Sequence, residues 1–262
     1  MQTDKKTAIV TGAYGAIGQA ICLGIAEKNF KLILVGRDKV NLEKTRTMLV
    51  QRTGNDDIYC EALDLSSKNE ILDFSRRWRG PLHLLINNAA TAPRKRTETA
   101  GGIEMQWAVN VLGYFWMIQH FSPFMHDSGD ARIVNVASYW AGGLNMNDPE
   151  FKSRTYDNDA AYRQAKQANR MLSVAFAGQL TVHGITVNSC HPGDVNSKLS
   201  NAFGFGGSES PAEGAATPLF LALSDQVSDI TGKYFEHGIQ VKCQFSQDKA
   251  VIEHLFDLCS GY

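Results

Sequence analysis

Apolar residues along the chain gather into short unbroken runs, at 7–11 (TAIVT), 31–35 (KLILV), 58–63 (IYCEAL), 82–86 (LHLLI), 131–137 (ARIVNVA) and 184–190 (GITVNSC). Runs of this kind read as strands buried on both faces, the signature of a parallel sheet. The intervals between them carry helix-period spacing, so the order is strand, helix, strand, helix. Asp38 is placed to cap a helix running to about Arg52, and Asp159 opens a long helix to about Val182. This rhythm predicts an α/β fold: a single Rossmann-type doubly wound domain spanning residues 1–262, its central parallel sheet flanked by helices. Two stretches break the rhythm, 138–158 and 195–210. Each follows the C-terminal end of an expected strand, where open α/β sheets place their ligands, which makes both candidate walls of a substrate pocket.

Composition narrows the classes left open. With 26 basic and 27 acidic residues the charge is near zero, which predicts no nucleic-acid partner. The opening MQTDKKT passes straight into AIV without a long apolar segment, so no transmembrane span and a cytoplasmic location are expected. Cys22, Cys60, Cys190, Cys243 and Cys259 are scattered, and no histidine pair has ligand spacing, so free thiols and no metal are expected.

The first run ends in Thr11-Gly12-Ala13-Tyr14-Gly15-Ala16-Ile17-Gly18, and a helix follows at once. Glycines there permit a tight turn and close approach of a pyrophosphate, while the helix N-terminus offers amide donors and a favourable dipole. Gly12, Tyr14, Gly15, Ile17 and Gly18 are therefore candidate dinucleotide contacts.

At this turn the chain resembles the short-chain dehydrogenase/reductase family, whose short members carry TGxxxGxG. Ala16 stands at the family's middle glycine, so the spacing is the TGxxGxxG of longer, epimerase-like relatives. The resemblance continues in order. Asp64-Leu65 is similar to the pair that meets adenine, and Asn87-Asn88-Ala89-Ala90 to the family's NNAG, with Ala90 for the last glycine. Asn110 resembles the proton-relay asparagine and Ser138 the catalytic serine. Tyr162 and Lys166 match YxxxK, and Pro192-Gly193-Asp194-Val195-Asn196-Ser197 resembles the PGxVxT loop over the nicotinamide, with Ser197 for threonine. The long interval between Ser138 and Tyr162, with Thr231-Gly232-Lys233-Tyr234-Phe235, points to the retinol-dehydrogenase-like branch.

Four residues apart on a helix, Tyr162 and Lys166 share one face. A neighbouring ammonium favours phenolate, so Tyr162 is the expected general acid and base between carbonyl and alcohol. The resemblance implies that Lys166 also holds the nicotinamide ribose, Ser138 bonds the substrate oxygen and Asn110 positions a relay water. Cofactor choice rests on the end of the second run. There Gly36 falls at the acidic position of NAD-specific sites and Arg37 follows, which favours NADP(H); Asp38 is read as a helix cap, with an NAD-selecting role as the alternative. Tyr139, Trp140, Leu144, Met146, Phe203 and Phe205 suggest a lipophilic small-molecule carbonyl or alcohol as substrate, and the apolar stretch 113–118 suggests a homodimer. Two alternatives stay open: an epimerase- or dehydratase-like relative, and a catalytically silent NADP(H)-binding regulatory protein.

Overall fold

The computed structural model describes residues 5–126 and 128–262; the first four residues of the MQTDKKT segment and Asp127 lie outside the described part. Its strands are β1 (Thr7–Thr11), β2 (Lys31–Gly36), β3 (Ile58–Ala62), β4 (Leu84–Asn87), β5 (Ala131–Val136), β6 (Ile185–His191), β7 (Tyr234–Glu236) and β8 (Ile239–Val241). They pair in the order β3-β2-β1-β4-β5-β6-β7-β8, in parallel up to β7, and β8 closes the edge antiparallel to β7. The order reverses between β1 and β4, the switch point where such sheets open a crevice. All six expected strands form, β1 with the expected bounds and the other five shifted by a residue or two at their ends. The three-residue β7 and β8 carry too few side chains to show a period; β7 extends the central parallel sheet and β8 adds an antiparallel edge.

Helices cover both faces. α1 (Ala16–Glu27), α2 (Lys39–Thr53) and α7 (Pro211–Leu223) bury Ile21, Leu42 and Leu221 against one side. On the other side α3 (Lys68–Arg77), α4 (Gly113–Phe121), α5 (Asn158–Leu180) and α8 (Lys249–Ser260) bury Phe74, Phe115, Phe176 and Leu255. Asp157 caps α5, accepting from the Ala160 amide at 2.9 Å, so the expected start at Asp159 moves back into the first turn. The apolar stretch 113–118 is filled from within the chain, with Phe115 against Phe176 at 5.2 Å and Phe256 at 5.1 Å. Among the described residues no helix is long and apolar enough to cross a membrane.

The two long interruptions behave differently. Residues 195–210 contain a short helix, α6 (Lys198–Ala202), started by Ser197 and Ser200 in a reciprocal capping box. Residues 138–157, up to the start of α5, contain no strand or α-helix and are held in place largely by side-chain hydrogen bonds. Asp148 accepts from the amides of Lys152 and Ser153, and the Tyr156 hydroxyl donates to the Pro93 carbonyl at 3.2 Å. Leu144 and Met146 pack against the main core, which removes them from the expected pocket wall.

Candidate active site

The turn after β1 is shaped by contacts that only glycine allows. Gly12 has φ +65°, and a Cβ on Gly18 would stand 2.1 Å from the Gly12 carbonyl oxygen, so α1 can start this close to β1 only without a side chain there. Ala16 is the first residue of α1 and keeps a negative φ, so alanine is accommodated at the family's middle-glycine position. Gly15 precedes α1 and gives no side-chain cap, which leaves first-turn amides available to a ligand. Thr11 Oγ1 accepts from the amides of Asn88 and Ala89, and the Asn88 side chain donates to the Thr11 carbonyl at 2.9 Å, locking β1 to the end of β4.

A cleft of about 390 Å³ opens beside this turn. Its walls include Gly12, Tyr14, Gly15, Ile17, Gly18, Arg37, Asp64, Leu65, Asn88, Ala89 and Ser197, which brings together eleven of the expected cofactor contacts. Leu63, Thr91, Val109, Lys198 and Leu199 also line it, and sequence reasoning missed them because they lie beside motifs rather than in them. Pro192, Gly193 and Val195 line a second, smaller chamber together with Ser138, Tyr139, Tyr162, Phe203 and Phe205. Ser197 and Leu199 border both spaces, so the start of α6 is their common wall.

At the end of β2 the Tyr14 ring lies on Gly36, where a Cβ would meet Tyr14 Cε1 at 2.5 Å. No acidic side chain fits there without moving that ring. Asp38 accepts from the Asn41 amide at 3.0 Å as the cap of α2. Arg37 is exposed and lines the cleft.

α5 brings Tyr162 and Lys166 beneath Ser138, and all three are buried. The Lys166 ammonium donates to the Val136 carbonyl at 2.8 Å and lies 5.6 Å from the Tyr162 ring centre and 5.3 Å from that of Tyr114. Burial, with no carboxylate to offset it, draws its pKa down to about 7. Burial also pushes the Tyr162 phenol well up, and a hydrogen bond with Ser138 only partly opposes this. The expected lowering of Tyr162 by the ammonium is therefore outweighed within the chain itself. Asn110 sits in a π-helical turn, Trp107–Leu112, just before α4. Its side chain is engaged by the Thr91 main chain, accepting at 2.8 Å and donating at 2.9 Å.

The buried lysine carries a stability prediction. Its folded pKa near 7 lies below the ~10.4 of an unfolded lysine, so between these values the unfolded chain binds more protons. Stability of the cofactor-free protein relative to Lys166→Met is expected to fall as pH is lowered from about 10, by up to roughly 1.4 kcal/mol per pH unit, and to level off below about 7. Urea unfolding of both proteins across that range measures the difference; a pH-independent gap would contradict the desolvated ammonium.

Two cavities over the C-terminal ends of a doubly wound, mostly parallel sheet, with Tyr162 and Ser138 lining the inner one and Lys166 buried outside both linings, define a dinucleotide-dependent oxidoreductase architecture. The family profile described as short chain dehydrogenase matches residues 6–204, and the chain belongs to that family. Retinol dehydrogenase 13 of Homo sapiens is 30% identical over 96% of this chain and 82% of its own, and the mouse protein is 30% identical over 96% and 81%. The solved structure of levodione reductase superimposes with a TM-score of 0.71 at 20% identity, covering 88% of this chain and 95% of that one. The chain is thus a dehydrogenase/reductase near the retinol-dehydrogenase-like branch.

Proposed function

We propose that the chain is an NADP(H)-dependent oxidoreductase interconverting a lipophilic aldehyde or ketone and its alcohol, with Tyr162 as proton donor and acceptor. The observation that carries this reading is the meeting of Ser138 and Tyr162 in an aromatic-walled chamber that shares the start of α6 with the cleft at the glycine turn. The family match favours it over the epimerase-like and silent alternatives.

The cleft fits the cofactor: a glycine turn with no room for a Cβ at Gly18, available amides at α1, and the two cations Arg37 and Lys198 against the single carboxylate Asp64. Gly12, Tyr14, Gly15, Ile17 and Gly18 would hold the pyrophosphate side. Asp64, Leu65, Asn88 and Ala89 would face the adenosine, and Pro192, Gly193, Val195 and Ser197 the nicotinamide, with Lys166 on its ribose. When bound, the reduced dinucleotide supplies hydride to the carbonyl carbon. Ser138 steadies the substrate oxygen by a hydrogen bond, and Tyr162 gives that oxygen its proton. Burial raises the phenol further above neutral pH, so Tyr162 carries its proton there and is ready to donate it in reduction. Lys166, drawn down to about 7, exchanges a proton at neutral pH and stabilises phenolate as it forms. Asn110 remains the proposed relay residue, its side chain fixing the loop after β4. A homodimer would need a surface other than the 113–118 stretch.

NADP(H) preference rests on Arg37 at the cleft and on Tyr14 closing the Gly36 position, with Asp38 spent on its cap. Wild type is expected to prefer NADPH over NADH by at least about tenfold in kcat/KM, and Arg37→Ala to erase most of that preference. Initial rates with both nucleotides on one reducible carbonyl test it. An NADH preference, or a ratio indifferent to Arg37, would overturn this choice of cofactor.

A further inference from the structure

The inner chamber has a polar group that the proposed chemistry does not use. His191 ends β6, and the register carries it next to the serine: Val136 pairs with Cys190, and the Ala137 amide donates to the Cys190 carbonyl at 2.7 Å. The residue lines the chamber with Ser138 and Tyr162 and is only 7% exposed. The ring packs edge-on to Tyr139, 4.6 Å between centres, and its Nδ1 is buried with no hydrogen-bond partner among the described residues. The polar groups around it are spent elsewhere. Arg170 donates to the Ser138 carbonyl, stacks 3.4 Å from the Tyr234 ring centre and lies 4.0 Å from Glu236. Burial, helped by His237 and Arg170, holds the imidazole down at about 4, so at neutral pH it is uncharged.

A neutral imidazole has one donor and one acceptor nitrogen, and rotation of the ring about χ2 exchanges Nδ1 with Cδ2 and Nε2 with Cε1. Leaving Nδ1 buried and unpaired is unfavourable, and a χ2 turn that brings it to the chamber face would let a ligand supply the missing partner. The other walls nearby, Tyr139, Phe203 and Phe205, present ring surface, with Trp140 packed behind Phe205 at 4.5 Å. The chamber therefore combines an apolar body with a hydrogen-bonding point separate from the pair that handles the reacting oxygen.

We infer that His191 is a second recognition point of the substrate chamber, and that the preferred substrates are lipophilic carbonyl compounds bearing another oxygen function close to the reacting carbonyl, such as hydroxyketones and diketones. This rests on the carbonyl-reductase reading above. The imidazole acts as a positioning residue that bonds the second oxygen while Ser138 and Tyr162 engage the first. A site built to pair such a group discriminates strongly against analogues lacking it, because its own polar atom is then left bare.

The test uses matched probes with NADPH: cyclohexanone against 2-hydroxycyclohexanone, and deoxybenzoin against benzoin. His191→Phe is expected to reduce the hydroxyketone-to-ketone ratio of kcat/KM at least about tenfold, and His191→Asn, which keeps a donor and an acceptor, to restore part of it. NADPH affinity and melting temperature, read on the same samples, report whether the variants are folded. A ratio unchanged in His191→Phe, or both members of a pair falling equally, would overturn the role of His191 while leaving the carbonyl-reductase reading in place. Wild type that binds NADPH yet reduces no member of either pair, nor oxidises the matching alcohols, would sink both.

Discussion

Tyr162→Phe is expected to lower kcat by about a hundredfold or more while NADPH binds as in wild type. The substitution removes one oxygen and keeps the ring that packs against Phe203, 4.9 Å between centres, so the chamber wall is preserved. What disappears is the hydroxyl proton that Tyr162 holds in the chamber it shares with Ser138. Burial holds that proton on Tyr162 at neutral pH, so in the reduction direction the wild-type donor is already loaded and its removal acts on the transition state. Ser138→Ala should cost less, because it removes a hydrogen bond and leaves the proton. Turnover on a reducible ketone and NADPH affinity by fluorescence titration separate the two effects. A Tyr162→Phe protein with near-wild-type turnover would end the proposed mechanism.

Gly18→Ala is expected to weaken NADPH binding by about a hundredfold or more and to lower the melting temperature by roughly 4–10 °C. The added carbon would sit 2.1 Å from the Gly12 carbonyl oxygen and 2.9 Å from its carbon, and both are backbone atoms that cannot rotate aside. Relief requires α1 to move away from β1, which also moves the first-turn amides that face the cleft. Gly15→Ala, whose carbon would meet the same oxygen at 3.2 Å, should lose far less. Dinucleotide titration and thermal unfolding of both variants decide the matter. Wild-type affinity in Gly18→Ala would show that this turn is not the pyrophosphate cradle.

The parts of the fold legible in the sequence were those that repeat a local rule over enough residues. β1 and β2 are fully or almost fully buried strands, and their apolar runs announce them. Asp38 followed by a periodic stretch was readable as a cap because capping is decided within four residues of chain. β7 and β8 were hidden because pairing with β6, supplied by a distant part of the chain, stabilises them rather than any pattern of their own. The 138–158 segment was rightly read as irregular. Its order was not readable, because Asp148 and Tyr156 find partners set by tertiary position.

Sequence alone determined the βαβ order, the glycine turn, the one-turn spacing of Tyr162 and Lys166, and the absence of an acid at Gly36, since each is a matter of residue type at short separation. Tertiary structure decided the energetics of the site. Enclosure drives Tyr162 up and Lys166 down, the reverse of what the pair suggests when read as neighbours on a solvated helix, because desolvation penalises charge in both. It also moved Leu144 and Met146 into the core, filled the 113–118 face with α8, and brought His191 unpaired into the chamber beside Ser138. Burial and pairing at these positions depend on residues far away in the chain, and no local pattern encodes which distant surface will arrive.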